Sequence, residues 1–235
     1  MKTGRSFLAF AVFLLLGSAF AAFFIAGRGV PGAYAIELPE PDRESGIPVS
    51  RAIHGRKSVR NYSAESLTLD QAGQLLWAAG GATIDGVTGP TRSYPSAGGT
   101  YPLEIYLVSG NVEGLEAGLY KYHWRTHSLE MILPGDKRSD LASAAYGQRM
   151  IGAAPATIVV TAVYERTTRR YGDRGRELYV PMDAGHLGQN VHLQAESMGL
   201  GTVMVGAFFE SQVASVLEEP EGDPIYMMPV GYIAD

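Results

Sequence analysis

An apolar run of eight residues, ATIVVTAV from Ala156 to Val163, limits what this chain can fold into more than any other feature of the sequence. Pro155 stands immediately before the run and marks the start of the element, because proline lacks the N–H that a sheet requires. The run carries no charge and no regular polar alternation, a pattern typical of a strand buried on both faces. We therefore expect a central strand in a sheet that is covered on both sides.

Helix and strand patterns alternate irregularly along residues 51–235. Leu67–Ala79 has helical spacing with Thr68 in the N-cap position, and further helices are predicted over Pro181–Met198 and Glu210–Leu217. Strands are predicted at runs rich in β-branched and aromatic residues, namely LEIYLVS at 103–109, a hairpin of GLYKYHW and SLEMIL at 118–133, 202–205 and 225–232. Without a regular βαβ repeat, these elements predict an α+β class.

The first 26 residues differ in character from the rest. Residues 1–6 form a short basic N-terminus with Lys2 and Arg5, and residues 7–26 are uncharged. Twenty helical residues span about 30 Å, the thickness of a bilayer's hydrocarbon core, so this segment predicts one N-terminal hydrophobic helix acting as a transmembrane anchor. The basic flank favours a cytoplasmic N-terminus, which would place the domain on the extracytoplasmic side.

Two further observations concern the region after this segment. Ala33-Tyr34-Ala35 offers the small residues of a signal-peptide cleavage site, so secretion after cleavage is the alternative localisation. Residues 27–50 are rich in glycine, proline and acidic residues, which predicts a linker. The folded domain is expected at 51–235, with membrane contact only through the N-terminal segment.

The composition excludes several classes of function. A net charge of −5 and a pI of about 5.6 argue against nucleic-acid binding, which requires a basic surface. Because the sequence has no cysteine, it can form no disulfide, thiolate nucleophile or cysteine-ligated metal centre. The motifs of serine hydrolases, zinc proteases and phosphate-binding loops are also missing from the sequence. We assign no catalytic side chain and no metal site.

Three segments carry residues suited to ligand binding. The first segment, HGRKSVRNY at 54–62, offers cations and a hydroxyl that can grip a phosphate, with a solvated basic loop as the alternative. The second segment, RSYPSAGGTYP at 92–102, has two glycines that let a flat ligand approach the backbone, with a tight turn as the alternative. The third segment, GLGTVMVG at 199–206, joins a helix stop to a short apolar strand and gains meaning only beside the other two.

In this order and at these separations, the segments resemble the nitroreductase superfamily. The resemblance rests on RKSVR followed by an aromatic residue, YPSAGGTYPLEIYLV, GLYKYHWRTHSLEMIL and DAGHLGQNVHLQAESMGLGT. Within the superfamily the chain is most similar to the SagB-type dehydrogenase branch, whose characterised members oxidise azoline rings to azoles in peptide maturation. The resemblance covers about residues 51–232, and PSAGGTYP is its most diagnostic element.

The resemblance implies an α+β sandwich, with helices flanking a central, mostly antiparallel sheet. It also implies an intimate homodimer with two FMN molecules in clefts lined by both chains. By position, the FMN phosphate and ribityl chain would contact Arg56, Lys57, Ser58 and Arg60. The isoalloxazine ring would face a segment supplied by the partner subunit, formed by Pro95, Ser96, Ala97, Gly98 and Gly99. The other side of the ring would lie along Val203, Met204, Val205 and Gly206, with backbone N–H groups near the flavin N5 edge.

Two details of the resemblance concern single positions. Gln189 and Asn190 match a family signature on the long helix, where such residues either touch flavin or stabilise the dimer. Many relatives have a basic residue near the C-terminus that reaches the phosphate, whereas this sequence ends GYIAD. The phosphate would then be held more weakly, or by the first segment alone.

The function implied by the resemblance is that of an FMN-dependent oxidoreductase. It would transfer two electrons between a reduced donor and an organic acceptor by a ping-pong hydride mechanism. NAD(P)H is a candidate donor, and the substrate is a small molecule or a peptide. The alternatives are a SagB-type dehydrogenase that oxidises azoline rings of a peptide, and a non-catalytic membrane-tethered protein that has lost flavin. The arginine-rich segment 166–176 is either an exposed, partly helical lid or loop, or a recognition element for an anionic substrate.

Overall fold

Seven strands form one sheet in the computed structural model, which describes residues 35–44, 46–86 and 89–234. The described strands are β1 Ala35–Glu37, β2 Ala82–Gly86, β3 Gly89–Arg92, β4 Leu103–Ser109, β5 Gly118–His123, β6 Ser128–Pro134, β7 Ala156–Ala162, β8 Leu200–Thr202 and β9 Asp223–Tyr232. The order in the large sheet is β1-β6-β5-β4-β7-β9-β8, with every neighbouring pair antiparallel. Strands β2 and β3 form a separate hairpin.

Helices cover both faces of the sheet. They are α1 Val49–Gly55, α2 Leu69–Gly80, α3 Arg138–Ala144, α4 Arg149–Ala153, α5 Glu165–Tyr171, α6 Val180–Ser197 and α7 Glu210–Val216. A 3₁₀ turn lies at Ala97–Gly99, and a π-helical turn at Gly175–Tyr179 leads into α6. The predicted α+β class and antiparallel sheet are confirmed.

Strand β7 behaves as its apolar run predicts. It pairs with β4 on one side and β9 on the other, and all seven of its residues are buried. Ile158 and Val160 pack in one core with α2 and α6, while Val159 points into a second core with α3, α4 and α7. Full burial of one Val or Ile side chain contributes about 1.5–3 kcal/mol, so a polar substitution at Val159 or Val160 would be strongly destabilising.

Local signals in the sequence set the ends of the two main helices. Helix α2 begins with a capping box, in which the Thr68 hydroxyl accepts from Gln71 N at 3.2 Å and the Gln71 side chain accepts from Thr68 N at 3.0 Å. Such a cap contributes about 1 kcal/mol. After α6, Gly199 has a φ of 71°, which lets the chain turn into β8.

Two predicted boundaries differ from the structure. Residues 35–37, inside the range 27–50 interpreted as a linker, form β1 and pair with β6. Leu38 then packs into the core at 8% exposure, so ordered structure of the domain begins before residue 51. The strand predicted at 202–205 is shifted to Leu200–Thr202, and Val205 makes an isolated bridge to Met227.

The prediction of a membrane-anchored domain is contradicted. Across the described ranges 35–44, 46–86 and 89–234, no helix combines the length and apolar character that crossing a bilayer requires. The longest, α6, has 18 residues and includes Asp183, Glu196 and two histidines, whereas a span needs about 20 mainly apolar residues. The predicted N-terminal hydrophobic helix at 7–26 lies outside the described residues.

Candidate functional site

Helix α6 contacts all three segments singled out in the sequence. Its first turns bind the second segment through Asp183 and His186. Its middle, at Gly188, lies against the side chain of Met204 in the third segment. Nearer its end, the side chain of Glu196 lies against Gly55 of the first segment, and the charge of Arg56 acts on His192. The helix is therefore the element that fixes the three segments relative to one another.

The first and third segments are neighbours. Ser58 forms a parallel bridge with Thr202, and Val59 N donates to Thr202 O at 2.9 Å. This approach depends on Gly201, because a Cβ at that position would lie 2.6 Å from Val59 Cβ. The structure thus brings the predicted phosphate-binding residues beside the predicted ring-contact residues 203–206.

The cations of the first segment are available to a ligand. We call Arg56, Lys57 and Arg60 the basic cluster; Arg56 is half-buried and the other two are exposed, as is the Ser58 hydroxyl between them. In the part of the chain that the structure describes, no ion pair joins the basic cluster to a carboxylate. Three cations and a hydroxyl without acidic partners form a donor set suited to a phosphate.

The residues of the third segment differ in how far they are exposed to solvent. Val203 and Val205 are buried, Met204 is half-buried and Gly206 is exposed. Val205 N donates to Met227 O at 2.8 Å, and Met227 N donates back to Val205 O at 3.0 Å. The N–H of Val205 is therefore committed to the sheet and is not one of the donors available to a ring.

The second segment is held by a buried carboxylate. Asp183, 1% exposed, accepts from Ser96 Oγ at 2.6 Å and from Ala97 N at 3.3 Å. His186, one turn further along α6, places Nδ1 3.2 Å from Pro95 O. The sequence pattern did not identify Asp183, although it falls on the same helical face as the buried Leu187. A carboxylate on the apolar face of a predicted helix was the available signal.

A cavity of about 270 Å³ lies between this loop and the start of α6. Its walls are Pro95, Ser96, Ala97, Tyr179, Met182, Asp183 and His186. Of the two signature residues, Asn190 donates to Ser93 O at 2.8 Å, which ties α6 to the start of the second segment, and Gln189 is exposed. The contact made by Asn190 therefore lies within one chain.

Within one chain, the second segment is offset from the other two. Asp183 and His192 are nine residues apart, or about 14 Å along the helix axis. Ser96, which contacts Asp183, and Arg56, whose charge acts on His192, therefore belong to different ends of α6. One chain places the first and third segments side by side and the second segment further along.

Burial shifts the pKa of two groups on α6. Burial, assisted by the charge of Arg56, lowers the pKa of His192, which is 5% exposed. Burial also raises the pKa of the Asp183 carboxyl, against the opposing effects of its hydrogen bonds from Ser96 and Ala97 and of nearby His186. His192 is thus a packed, neutral residue at pH 7.

Comparison with known proteins identifies the family. The sequence profile described as the nitroreductase family matches residues 53–232. The chain belongs to the nitroreductase family. It is also 44% identical over 196 residues to the nitroreductase-like protein MJ1384 of Methanocaldococcus jannaschii, a match that covers 83% of this chain and 96% of that protein.

Two more proteins are similar to this nitroreductase-family chain, one in structure and one in sequence. A crystal structure of a nitroreductase-like protein from Ralstonia eutropha superposes with a TM-score of 0.73 at 32% identity, covering 86% of this chain and 90% of that one. The Microcin B17-processing protein McbC of Escherichia coli is 29% identical over 131 residues, which are 54% of this chain and 48% of McbC. The predicted superfamily is confirmed, and similarity to a peptide-processing protein supports the SagB-type branch.

The arginine-rich segment of this nitroreductase-family oxidoreductase is engaged in internal contacts. We call Arg166, Arg170, Arg174 and Arg176 the arginine network. Arg166 pairs with Glu104 and with Glu221, the latter at 2.8 Å. The other three pack their guanidinium groups against tyrosine rings: Arg170 on Tyr171, Arg174 on Tyr179 and Arg176 on Tyr164. These contacts favour a structural role for the segment over recognition of an anionic substrate.

Proposed function

We propose that the chain is an FMN-dependent oxidoreductase that transfers two electrons between a reduced donor and an organic acceptor by a ping-pong hydride mechanism. The observation that carries the proposal is the basic cluster, which lies next to the third segment and whose three cations have no carboxylate partner among the described residues. A phosphate on a flat, partly apolar ligand matches that combination. FMN, when bound, would supply the hydride chemistry.

The residues of the chain would bind and orient the cofactor. The guanidinium groups of Arg56 and Arg60, the Lys57 ammonium and the Ser58 hydroxyl would hold the phosphate and ribityl chain. Half-buried Met204 would give one side of the ring an apolar surface that excludes water, while Val203, whose side chain packs in the second core, would offer only its backbone. Gly206, which is exposed, would leave room at the edge of the ring.

We further propose that the functional unit is a homodimer. Residues 95–99 lie at the far end of α6 from the basic cluster, so a second chain is the natural source of a segment on the opposite side of the ring. Val49 and Ile53, on one face of α1, are 67% and 57% exposed, and Met182 is 48% exposed. Burying such apolar side chains between two chains would contribute favourably to association.

A second candidate function rests on one comparison. The similarity to McbC, a Microcin B17-processing protein, favours a substrate that is a peptide, oxidised at an azoline ring as in SagB-type dehydrogenases. The chain spans about half the length of McbC, so this relative supports the shared oxidoreductase domain and not a whole peptide-processing assembly. In both candidates the flavin site is the same, and only the partner substrates differ.

The test uses the purified full-length chain. Its visible spectrum is recorded as isolated, after incubation with FMN, and after anaerobic addition of NADPH or NADH. Flavin bands that bleach on addition of a nicotinamide nucleotide are expected for a reductase that uses NAD(P)H. Bands that persist would favour the second candidate, in which electrons come from the organic substrate. A chain that binds no FMN under any of these conditions would contradict the proposal.

A further inference from the structure

The loop at the second segment has a backbone that is unfavourable without an anchor. Gly98 and Gly99 have φ values of 61° and 66°, and Tyr101, which has a side chain, has a φ of 43°. A residue other than glycine in the left-handed region costs about 1–2 kcal/mol, so Tyr101 persists there only because its surroundings fix it. The fixed conformation requires contacts that outweigh this cost.

Asp183 and Ser96 provide part of those contacts, beside Arg166, which donates to Tyr101 O at 3.2 Å. Ser96 Oγ donates to Asp183 Oδ2 at 2.6 Å and accepts from Tyr101 N at 2.9 Å. Ala97 N donates to Asp183 Oδ1 at 3.3 Å. The carboxylate is thus connected directly to Ser96 and Ala97, and through Ser96 to the strained Tyr101. Hydrogen bonds to an ionised acceptor are about twice as strong as those between neutral groups.

We propose that Asp183 is a positioning residue, which acts through Ser96 and Ala97 to hold residues 95–99 in the conformation that faces the isoalloxazine ring. The assignment of the ring to this loop rests on the proposed function, whereas the anchoring of the loop rests on the hydrogen bonds alone. Asp183 itself lies beneath the loop, in the wall of the 270 Å³ cavity, and is not a catalytic residue.

Burying a carboxylate costs more free energy than burying an apolar side chain, so packing alone does not explain Asp183. Taking an ionised group out of water is unfavourable unless hydrogen bonds compensate, and a well-packed apolar side chain of similar volume is often at least as stabilising. Asp183 is 1% exposed and directs both oxygens at the loop. His186 reinforces the same loop through Pro95 O, so two residues of one helical turn serve a single segment.

The first measurement needs no flavin. Hydrogen exchange of the Ala97 and Tyr101 amides is followed in the full-length chain, in Asp183→Asn and in Ser96→Ala. Asp136→Asn is the matched control, because Asp136 also accepts from a side chain and a backbone N–H, both of Arg138, and is not among the loop's contacts. We expect exchange of the loop amides to accelerate about tenfold or more in both test variants and to stay unchanged in the control.

The second measurement adds FMN. Asp183→Asn and Ser96→Ala are each expected to weaken FMN binding about tenfold and to shift the absorption maximum of the bound flavin. In the double variant the two effects should not add, since both changes break the same connection. The control should retain the affinity and the absorption maximum of the unmodified chain.

The outcomes separate the two proposals. An unmodified chain that does not bind FMN contradicts the proposed function, while the exchange rates in the flavin-free protein still decide whether Asp183 anchors the loop. Test variants that are folded and show unchanged exchange at Ala97 and Tyr101 would overturn the positioning role. If Asp183→Asn fails to fold, Ser96→Ala, which leaves the carboxylate in place, decides the question by the same readouts.

Discussion

The basic cluster at residues 56–60 and the arginine network at residues 166–176 look alike in the sequence, since each gathers at least three cations within eleven residues or fewer. In the structure they differ in what surrounds them. The described contacts of the basic cluster include no ion pair with a carboxylate, whereas Arg166 is bound by two carboxylates and its three companions lie on tyrosine rings. The availability of a charge, more than the number of charges, therefore separates a candidate ligand site from a structural element.

The largest expected effect comes from removing charge in the basic cluster. We predict that Arg56→Ala combined with Arg60→Ala weakens FMN binding about a hundredfold, because each loses one charge-assisted contact with the phosphate. The free energy of unfolding should change by less than about 0.5 kcal/mol, since neither side chain forms an ion pair within the described part of the chain. Fluorescence titration with FMN and chemical denaturation measure the two quantities. A large loss of stability with unchanged FMN affinity would show that the basic cluster is the structural element and does not bind the ligand.

In the arginine network we expect the opposite pattern, in which a substitution affects the free energy of unfolding more than the affinity for FMN. Arg166→Met keeps the aliphatic stem and removes the charge, which leaves the Glu104 side chain, 10% exposed, without its guanidinium partner. We predict a loss of about 2 kcal/mol in the free energy of unfolding. Because Arg166 also donates to Tyr101 O at 3.2 Å, any loss of FMN affinity should be small, well below that of the Arg56→Ala, Arg60→Ala variant. The matched control is Arg176→Met, whose carboxylate partner Asp223 is 3.7 Å away and mostly exposed, so that about 1 kcal/mol or less is expected. Equal losses in the two variants would contradict the assigned network.

The smallest expected effect is the dependence of the free energy of unfolding on pH. The pKa of His192 is lowered in the folded state by burial and then by Arg56, so the unfolded chain binds more protons than the folded one below about pH 6.5. Stability should therefore decline as the pH falls through this value, by at most about 1.4 kcal/mol per pH unit for one histidine. His192→Gln should flatten the slope between pH 7 and 6. His127, whose pKa is also lowered, contributes the same sign in both proteins and cancels from the difference. An identical slope in the variant would show that His192 is not the group concerned.

Periodicity predicted the elements that are long or have their own end signals. The buried run of β7, the capped helix α2 and the amphipathic helix α6 all formed close to their predicted positions. The sequence did not predict β1, the β2–β3 hairpin, or the helices α1, α3 and α4, none of which exceeds seven residues. Short elements depend strongly on tertiary contacts, so local patterns predicted some of them, such as α7, and missed others.

The same distinction applies to the candidate site. The chemistry of the basic cluster was visible in the sequence, but its proximity to the third segment depends on the bridge between Ser58 and Thr202, which are 144 residues apart. The arginine-rich segment has acidic residues close to it in the sequence, such as Asp173, whereas Arg166 pairs with the distant Glu104 and Glu221. The fold therefore decides which charged side chains form ion pairs and which remain available to a ligand.

The central claim is that the basic cluster binds the phosphate of a flavin. The most direct measurement compares the affinities of the full-length chain for FMN and for riboflavin, which carries the same ring and lacks the phosphate. We predict that the unmodified chain prefers FMN at least about a hundredfold, and that the Arg56→Ala, Arg60→Ala variant loses most of this preference while its riboflavin affinity is unchanged. Equal affinities for the two ligands in the unmodified chain would contradict the claim.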